Sequence, residues 1–215
     1  IIFDFDGTIV DSETHWPPVA QKLLHEVTGR PWSVEEQRQF IGHGLDAQHL
    51  VLQRDHGMRH TLPEFRDAVG RYCDVVYSEL AQLNPGAREL FQRLEEVGIP
   101  FTIASSGHRD WIMKAMRRLD IDRFFRDGIC TADDVENTKP HPDVYLLAAQ
   151  AIGRDTADCV GVEDSSIGLR AIHAAEMTSI AYHTSHNTDQ NLSVAHIHIH
   201  DFSQLTHERL EELLA

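Results

Sequence analysis

The chain has 215 residues, of which 41% are hydrophobic, and its 34 acidic residues outnumber 19 basic ones, giving a formal net charge of −15. A surface this acidic argues against nucleic acid or an anionic membrane as a partner. No run approaches the roughly 18 apolar residues of a membrane span. Cys73, Cys130 and Cys159 are odd in number and widely spaced, which favours reduced thiols and a cytoplasmic location over a disulfide framework.

The first predicted element is a strand over residues 1–5 that ends in two carboxylates, within Asp4-Phe5-Asp6-Gly7-Thr8. A parallel strand buried on both faces accepts ionisable side chains only at its end. Strand alternation puts Asp4 and Asp6 on one side, and Gly7 allows a sharp turn. Two facing carboxylates repel each other, and a hard divalent cation such as Mg²⁺ relieves that repulsion. The alternative interpretation is a strand that ends in a solvated turn.

Next comes a block without strands of comparable quality, in which we predict helices around 17–28, 33–40, 45–55 and 63–80. We therefore predict a helical cap domain over residues 13–83, inserted into a core domain of residues 1–12 and 84–215, and we expect the cap to stand over the crevice of the core.

Three residues of this insertion are candidate substrate contacts. His15 and Trp16 follow the first strand at the expected hinge, and His43 lies between two glycines in a predicted turn. Packing of the hinge is the alternative for His15 and Trp16, because aromatic side chains commonly anchor such joints.

Beyond the insertion, short apolar runs alternate with amphipathic patterns, which is typical of parallel βαβ architecture. The predicted fold is α/β, a doubly wound, mainly parallel, Rossmann-like sheet with the helical cap inserted. The predicted strands are 99–104, 127–130, 158–162, 178–182 and 196–200, and the predicted helices are 86–98, 108–119, 143–152, 166–175 and 207–214.

Polar groups follow three of these strands. Ser105-Ser106-Gly107 offers a hydroxyl and backbone amides of the kind that bind phosphate oxygens, although a serine here could simply cap the next helix. Lys139, before Pro140, supplies a point charge suited to phosphate, and a surface turn is the alternative. Glu163 and Asp164 are a second source of carboxylates for the metal, or else an acidic pair at a helix amino terminus.

The last strand carries alternating histidines, His196, His198 and His200. Alternation puts them on one face, with Ile197 and Ile199 directed inward. Three zinc ligands need convergent geometry and supporting hydrogen bonds, so we interpret this segment as the last sheet strand and not as a zinc site.

In their order and spacing, these four clusters resemble the motifs of the haloacid dehalogenase superfamily of phosphohydrolases. Asp4-Phe5-Asp6-Gly7-Thr8 resembles the first motif, Ser105 the second, Lys139 the third, and Glu163-Asp164 the fourth. A helical insertion directly after the first motif resembles the subgroup of phosphoglycolate phosphatase, hexose-phosphate phosphatases and β-phosphoglucomutase.

The resemblance implies a role for each motif. Asp4 would be the nucleophile that forms an aspartyl-phosphate, and Asp6 would protonate the leaving alcohol and later activate water. Mg²⁺ would be bound by Asp4, by the Asp6 backbone carbonyl and by Asp164, with Glu163 supporting its water shell or joining the coordination. Ser105, the amides of Ser106 and Gly107, and Lys139 would bind the phosphate.

The resemblance implies a phosphatase of a small phosphorylated metabolite, such as a sugar phosphate or phosphoglycolate, with a monomer or weak homodimer expected. Two alternatives remain open. One is a phosphomutase, although His15 is displaced by one residue from the histidine that assists the mutases. The other is a non-catalytic phosphate-binding module, against which the complete set of acids, serine and lysine argues.

Overall fold

The computed structural model describes residues 1–37, 40, 45–125 and 128–214. The chain divides into two compact units. The first, here called the α/β unit, consists of Ile1–Asp11 and Gln82–Ala215. The second, the helical unit, is Ser12–Ala81.

Within the described residues of the α/β unit, five strands form one parallel sheet in the order β2-β1-β3-β4-β5. This confirms the predicted α/β fold class. Strand β1 lies between β2 and β3 and pairs on one side through Phe3 with Ile103 and on the other through Phe3 with Val162. The strands are β1 Ile2–Phe3, β2 Thr102–Ile103, β3 Val160–Glu163, β4 Thr178–Tyr182 and β5 Ile197–Ile199.

Helices cover both faces of this sheet. Because neighbouring residues of a strand face opposite ways, Ile2 and Phe3 contribute to different cores. Phe3 contacts the ring of Phe91 edge to face at 5.6 Å, whereas Ile2 belongs to a cluster that includes Tyr145 and Ile172. The helices of both units are α1 Trp16–Thr28, α2 Val34–Gln37, α3 Leu45–His56, α4 Leu62–Val75, α5 Ala87–Val97, α6 Arg109–Arg118, α7 Asp143–Ala151, α8 Ser166–Ala174 and α9 His207–Leu214.

Single 3₁₀ turns add short links in the α/β unit at Asp122–Phe124, Ala132–Asp134, Thr156–Asp158 and Phe202–Gln204. One glycine sets the distance between α8 and the sheet. A Cβ at Gly161 in β3 would lie 2.6 Å from Cδ1 of Ile172, so only glycine lets this helix pack so closely.

The helical unit is built from α1 to α4. Helix α4 begins with a capping box, in which Thr61 accepts from the backbone of Glu64 and the Glu64 carboxylate accepts from the backbone of Thr61. Phe65 and Leu52 are fully buried between the helices. In the part of the chain that the structure describes, no helix is both long enough and apolar enough to cross a membrane.

The chain leaves the α/β unit after Asp11 and returns to it at Gln82. The backbone N–H of Asp11 donates to the carbonyl of Gln82 at 2.8 Å, and Val10 forms an antiparallel bridge with Leu83. The buried amide of Asn84 donates to the carbonyls of Gly7 and Thr8 at 3.0 and 2.7 Å. The outgoing and returning segments are therefore tied to each other.

Among the described residues, two elements differ in type from their predictions. The strand predicted at 127–130 is not formed by its described residues 128–130: Cys130 makes a single parallel bridge to Ala104, because Gly128 at φ 90° lies outside the extended region that a strand needs. The helix predicted at 63–80 stops at Val75 and continues as a π-helical turn, Val76–Leu80.

Candidate active site

Lys139 lies buried among carboxylates at the carboxyl end of β1. Its Nζ donates to Asp4 Oδ1 at 2.5 Å, to Glu163 Oε1 at 2.7 Å and to the carbonyl of Ala104 at 2.9 Å. The backbone of Asp4 is fixed as well, since its N–H donates to the carbonyl of Val162 in β3. The side chains of Lys139, Asp4 and Glu163 are 4%, 8% and 2% exposed. The ends of β1 and β3 and the loop that carries Lys139 thus bring oppositely charged groups together away from water.

Glu163 uses both of its carboxylate oxygens within the protein. Oε1 accepts from Lys139, while Oε2 accepts from the backbone N–H groups of Asp164 and Ser165 and from the Ser165 hydroxyl, each at 2.9 Å. These contacts fix the conformation of the turn between β3 and α8 and also orient Lys139.

Asp164 lies under the turn that follows the first strand. A Cβ at Gly7, whose φ is 79°, would lie 2.2 Å from Asp164 Oδ2, so both the conformation and the space require glycine. The Thr8 hydroxyl donates to Asp164 Oδ1 over a long 3.4 Å. Asn187, itself buried, donates to the backbone carbonyl of Asp164 at 2.9 Å and fixes it from behind.

The acidic side chains suit a hard cation. Asp4, Glu163 and Asp164 are buried and each offers a carboxylate oxygen within 4.8 Å of the other two. Grouped carboxylate oxygens are the ligands that Mg²⁺ prefers in proteins. The donor set present therefore fits this ion.

The electrostatics favour additional positive charge here. Burial raises the pKa of the Asp4 carboxyl well above its usual range, Lys139 opposes this shift, and the charge of Glu163 adds to it. Burial alone would lower the pKa of Lys139, but Asp4 and Glu163 raise it well above its usual range, so the ammonium stays charged. One ammonium faces several carboxylates, and an ionised Asp4 needs more positive charge than Lys139 supplies.

The loop after β2 lies next to Asp6. Ser105 is buried, and its Oγ accepts from the backbone N–H of Gly107 at 3.0 Å, which leaves the hydroxyl proton to be donated elsewhere. A Cβ at Gly107 would lie 3.4 Å from Asp6 Oδ2. Ser106 is exposed. The structure thus brings the loop of the second motif beside the second carboxylate of the first.

One residue of this buried group, Tyr145, is not indicated by any sequence pattern. Its side chain is fully buried; its hydroxyl lies 3.4 Å from Glu163 Oε1, and the Lys139 ammonium lies 4.9 Å from its ring centroid. In the sequence it is one aromatic residue of an amphipathic helix, so only its proximity to Lys139 in three dimensions distinguishes it from a core residue.

The candidate substrate contacts belong to the helical unit. His15 precedes α1, and Trp16, its first residue, contacts the ring of Tyr77 edge to face at 6.0 Å. His43 lies outside the described residues.

Known proteins resemble this chain over most of its length. A family model described as haloacid dehalogenase-like hydrolase matches residues 1–182. A phosphorylated carbohydrates phosphatase of Thermotoga maritima is 29% identical over 180 residues, which cover 84% of this chain and 82% of that protein. A haloacid dehalogenase-like hydrolase domain-containing protein of Arabidopsis thaliana is 33% identical over 250 aligned positions, covering 100% of this chain and 77% of that protein.

Among solved structures, a hydrolase of the same family from Deinococcus radiodurans, solved with bound phosphate and sodium, superimposes with a TM-score of 0.76. It is 26% identical in sequence, and the match covers 100% of this chain and 96% of that one.

Proposed function

The chain belongs to the haloacid dehalogenase-like hydrolase family, and we propose that it is a Mg²⁺-dependent phosphatase of a small phosphorylated metabolite, of the sugar phosphate or phosphoglycolate kind. The family membership confirms the resemblance noted in the sequence. The observation that carries the proposal is the buried contact of the Lys139 ammonium with Asp4 and Glu163, beside Asp164. The named activity of the Thermotoga maritima relative supports a phosphorylated carbohydrate as substrate.

Phosphoryl transfer depends mainly on positioning and on neutralising the phosphoryl oxygens. We assign Asp4 as the nucleophile, since it is buried next to a fixed positive charge. A Mg²⁺ ion bound by Asp4, Asp164 and the Asp6 backbone carbonyl would supply positive charge against the repulsion between the carboxylate and the phosphate. Lys139 contributes the same effect from the protein itself.

The remaining groups bind phosphate and transfer protons. Ser105 can donate its hydroxyl proton to a phosphoryl oxygen, because its Oγ already accepts from Gly107. The backbone N–H of Ser106 is a further candidate for this task, whereas that of Gly107 already donates to Ser105 Oγ. Asp6 is assigned as the acid that protonates the leaving alcohol and as the base that then activates water. Glu163, whose oxygens are occupied by Lys139 and by the following turn, is assigned chiefly to hold the lysine in place.

We further propose that the helical unit acts as the cap that selects the substrate, with His15 and Trp16 as candidate contacts. The three cysteines are buried thiols, which supports a reducing compartment such as the cytoplasm.

A phosphate-release screen tests the function. Glycolate, hexose, pentose and glycerol phosphates and p-nitrophenyl phosphate are offered to the protein with Mg²⁺ or with EDTA. We expect release that requires Mg²⁺ and that Asp4→Asn lowers by at least about a thousandfold, because the nucleophile is lost. Asp189→Asn, which changes an exposed carboxylate of a loop, is the matched control and should leave release unchanged.

Two results would contradict the proposal. One is the absence of phosphate release from every compound of the screen. The other is isomerisation of a sugar 1-phosphate with little net release, which would identify a mutase.

A further inference from the structure

Three histidines meet where β4 and β5 end. Tyr182 pairs with Ile199, and the N–H of the next residue, His183, donates to the carbonyl of Ile199 at 2.8 Å. His198 pairs with Ala181. Ala181 lies two residues before His183, so the side chains of His183 and His198 extend from the same face of the sheet. The pairing of the two chain segments therefore fixes the backbone positions from which these imidazoles extend.

The side chains of this group approach each other closely. Nε2 of His183 lies 2.8 Å from Nδ1 of His198, and the rings of His183 and His200 stack with centroids 4.9 Å apart. His183 is partly buried, whereas His198 and His200 are exposed. Two imidazole nitrogens on neighbouring strands thus face each other at the accessible edge of the sheet.

We propose that His183 and His198 bind a divalent transition-metal ion such as Zn²⁺, at a site distinct from the acidic group around Asp4. Imidazole nitrogen is a ligand that zinc, nickel and copper prefer, whereas Mg²⁺ prefers oxygen. His183 follows β4, two strands from β1, which corresponds to roughly 10 Å at the usual strand spacing.

The geometry needs little adjustment. Zinc binds imidazole at about 2.0–2.1 Å, and two ligands of a tetrahedral ion lie about 3.4 Å apart. The facing nitrogens are 2.8 Å apart, so they must separate by roughly 0.6 Å. Rotation of the exposed His198 side chain can supply that distance. The ion would then replace the proton that the two rings share.

The protonation state favours a metal ligand. Burial lowers the pKa of His183, and the neighbouring His200 and His198 lower it further, so its ring is neutral at pH 7.5. The formal net charge of −15 also attracts a cation.

A second pair of histidines on this sheet face lacks the same arrangement. Nδ1 of His196 accepts from the backbone N–H of Ser179 at 3.0 Å, and Nε2 of His173 contacts the Ser179 hydroxyl at 2.9 Å. A serine stands between these rings, so their nitrogens do not face one another. This pair serves as an internal comparison.

The test is calorimetric titration of the whole protein with ZnCl₂ in excess MgCl₂, which keeps the oxygen site filled. We expect one zinc site at pH 7.5, weakened at least about tenfold in His183→Gln and in His198→Gln. His186→Gln, an exposed histidine of the same loop, and His196→Gln should titrate like the wild type. The affinity should fall at pH 5.5, because protons compete for the imidazoles.

Thermal unfolding gives a second readout. Since the two ligands come from neighbouring strands, bound zinc should raise the Tm of the wild type and not that of His198→Gln. Circular dichroism checks that each variant folds. If His183→Gln does not fold, the comparison of His198→Gln with the wild type tests the proposal, because His198 is exposed. Equal zinc affinity in His198→Gln and the wild type, or no heat and no Tm shift with the wild type, would overturn the proposal.

Discussion

Glycine at position 168 makes room for the Glu163 carboxylate. It lies in α8, yet a Cβ there would fall 1.6 Å from Glu163 Oε1, the oxygen that accepts from Lys139. The catalytic assignment of Lys139 therefore depends on a residue with no side chain of its own. A sequence pattern gives no sign of this, because Gly168 resembles an ordinary small residue of a helix.

Gly168→Ala should disturb both stability and activity. Alanine normally favours a helix over glycine by about 1 kcal/mol, but overpacking a buried site costs about 1–3 kcal/mol. We expect lower stability in urea and a loss of phosphate release of about a hundredfold, because Glu163 and Lys139 shift. The control is Gly70→Ala in α4, where a Cβ meets nothing within 4 Å and should stabilise by about 0.5–1 kcal/mol. Equal stability of the two variants would contradict this account.

At the level of elements, histidine contacts add to the backbone pairing that attaches β5 to β4, and they extend it to α8. Ser179 in β4 contacts His196, which precedes β5, and His173 in α8. Burial lowers the pKa of His173, and the neighbouring His196 lowers it further. The folded pKa lies below the unfolded value of about 6.5, so the unfolded chain binds protons first as the pH falls. Stability supported by this group is present above pH 6.5 and lost below it.

Urea unfolding at pH 7.5, 6.5 and 5.5 measures the effect. The free energy of unfolding should decrease with falling pH in the wild type and decrease less in His173→Gln. His186→Gln, exposed in the loop after β4, should keep the wild-type slope. A slope in His173→Gln as steep as that of the wild type would exclude this histidine as the source.

Most elements of the α/β unit could be predicted, because each has a local signal. The strand predicted at 178–182 coincides with β4, and α5 ends at Gly98, which adopts φ 71° as a helix stop. Asp4, Glu163 and Asp164 could be placed together because they lie at the ends of parallel strands. Lys139 lies in a loop, and only the resemblance to the family's third motif placed it with them. Tyr145 could not, since its contact with Glu163 depends on how α7 packs against the sheet.

At the level of the whole molecule, the two units should differ in stability. The helical unit contains only Ser12–Ala81, and small domains bury a smaller fraction of their surface. Each unit carries its own buried thiol reporter: Cys73 in the helical unit, and Cys130 and Cys159 in the α/β unit. We expect Cys73 to become reactive at a lower urea concentration than the other two.

Mass spectrometry after pulsed thiol labelling at increasing urea measures this order. Variants that retain a single cysteine, with the others changed to serine, serve as controls for reagent accessibility. Labelling of all three thiols in one transition would mean that the two units unfold together.

The tie between Asp11 and Gln82 has a consequence for protein engineering. A polypeptide inserted between Asp11 and Gln82 has its two attachment points one hydrogen bond apart. An unrelated domain whose termini lie close together can therefore be inserted here with little strain on the α/β unit. Asn84, which belongs to the α/β unit, donates to the carbonyls of Gly7 and Thr8, and an exchange of the inserted segment would leave these hydrogen bonds in place. The α/β unit can thus accept a different insertion between Asp11 and Gln82 while the backbone of Asp4 and Asp6 stays in place.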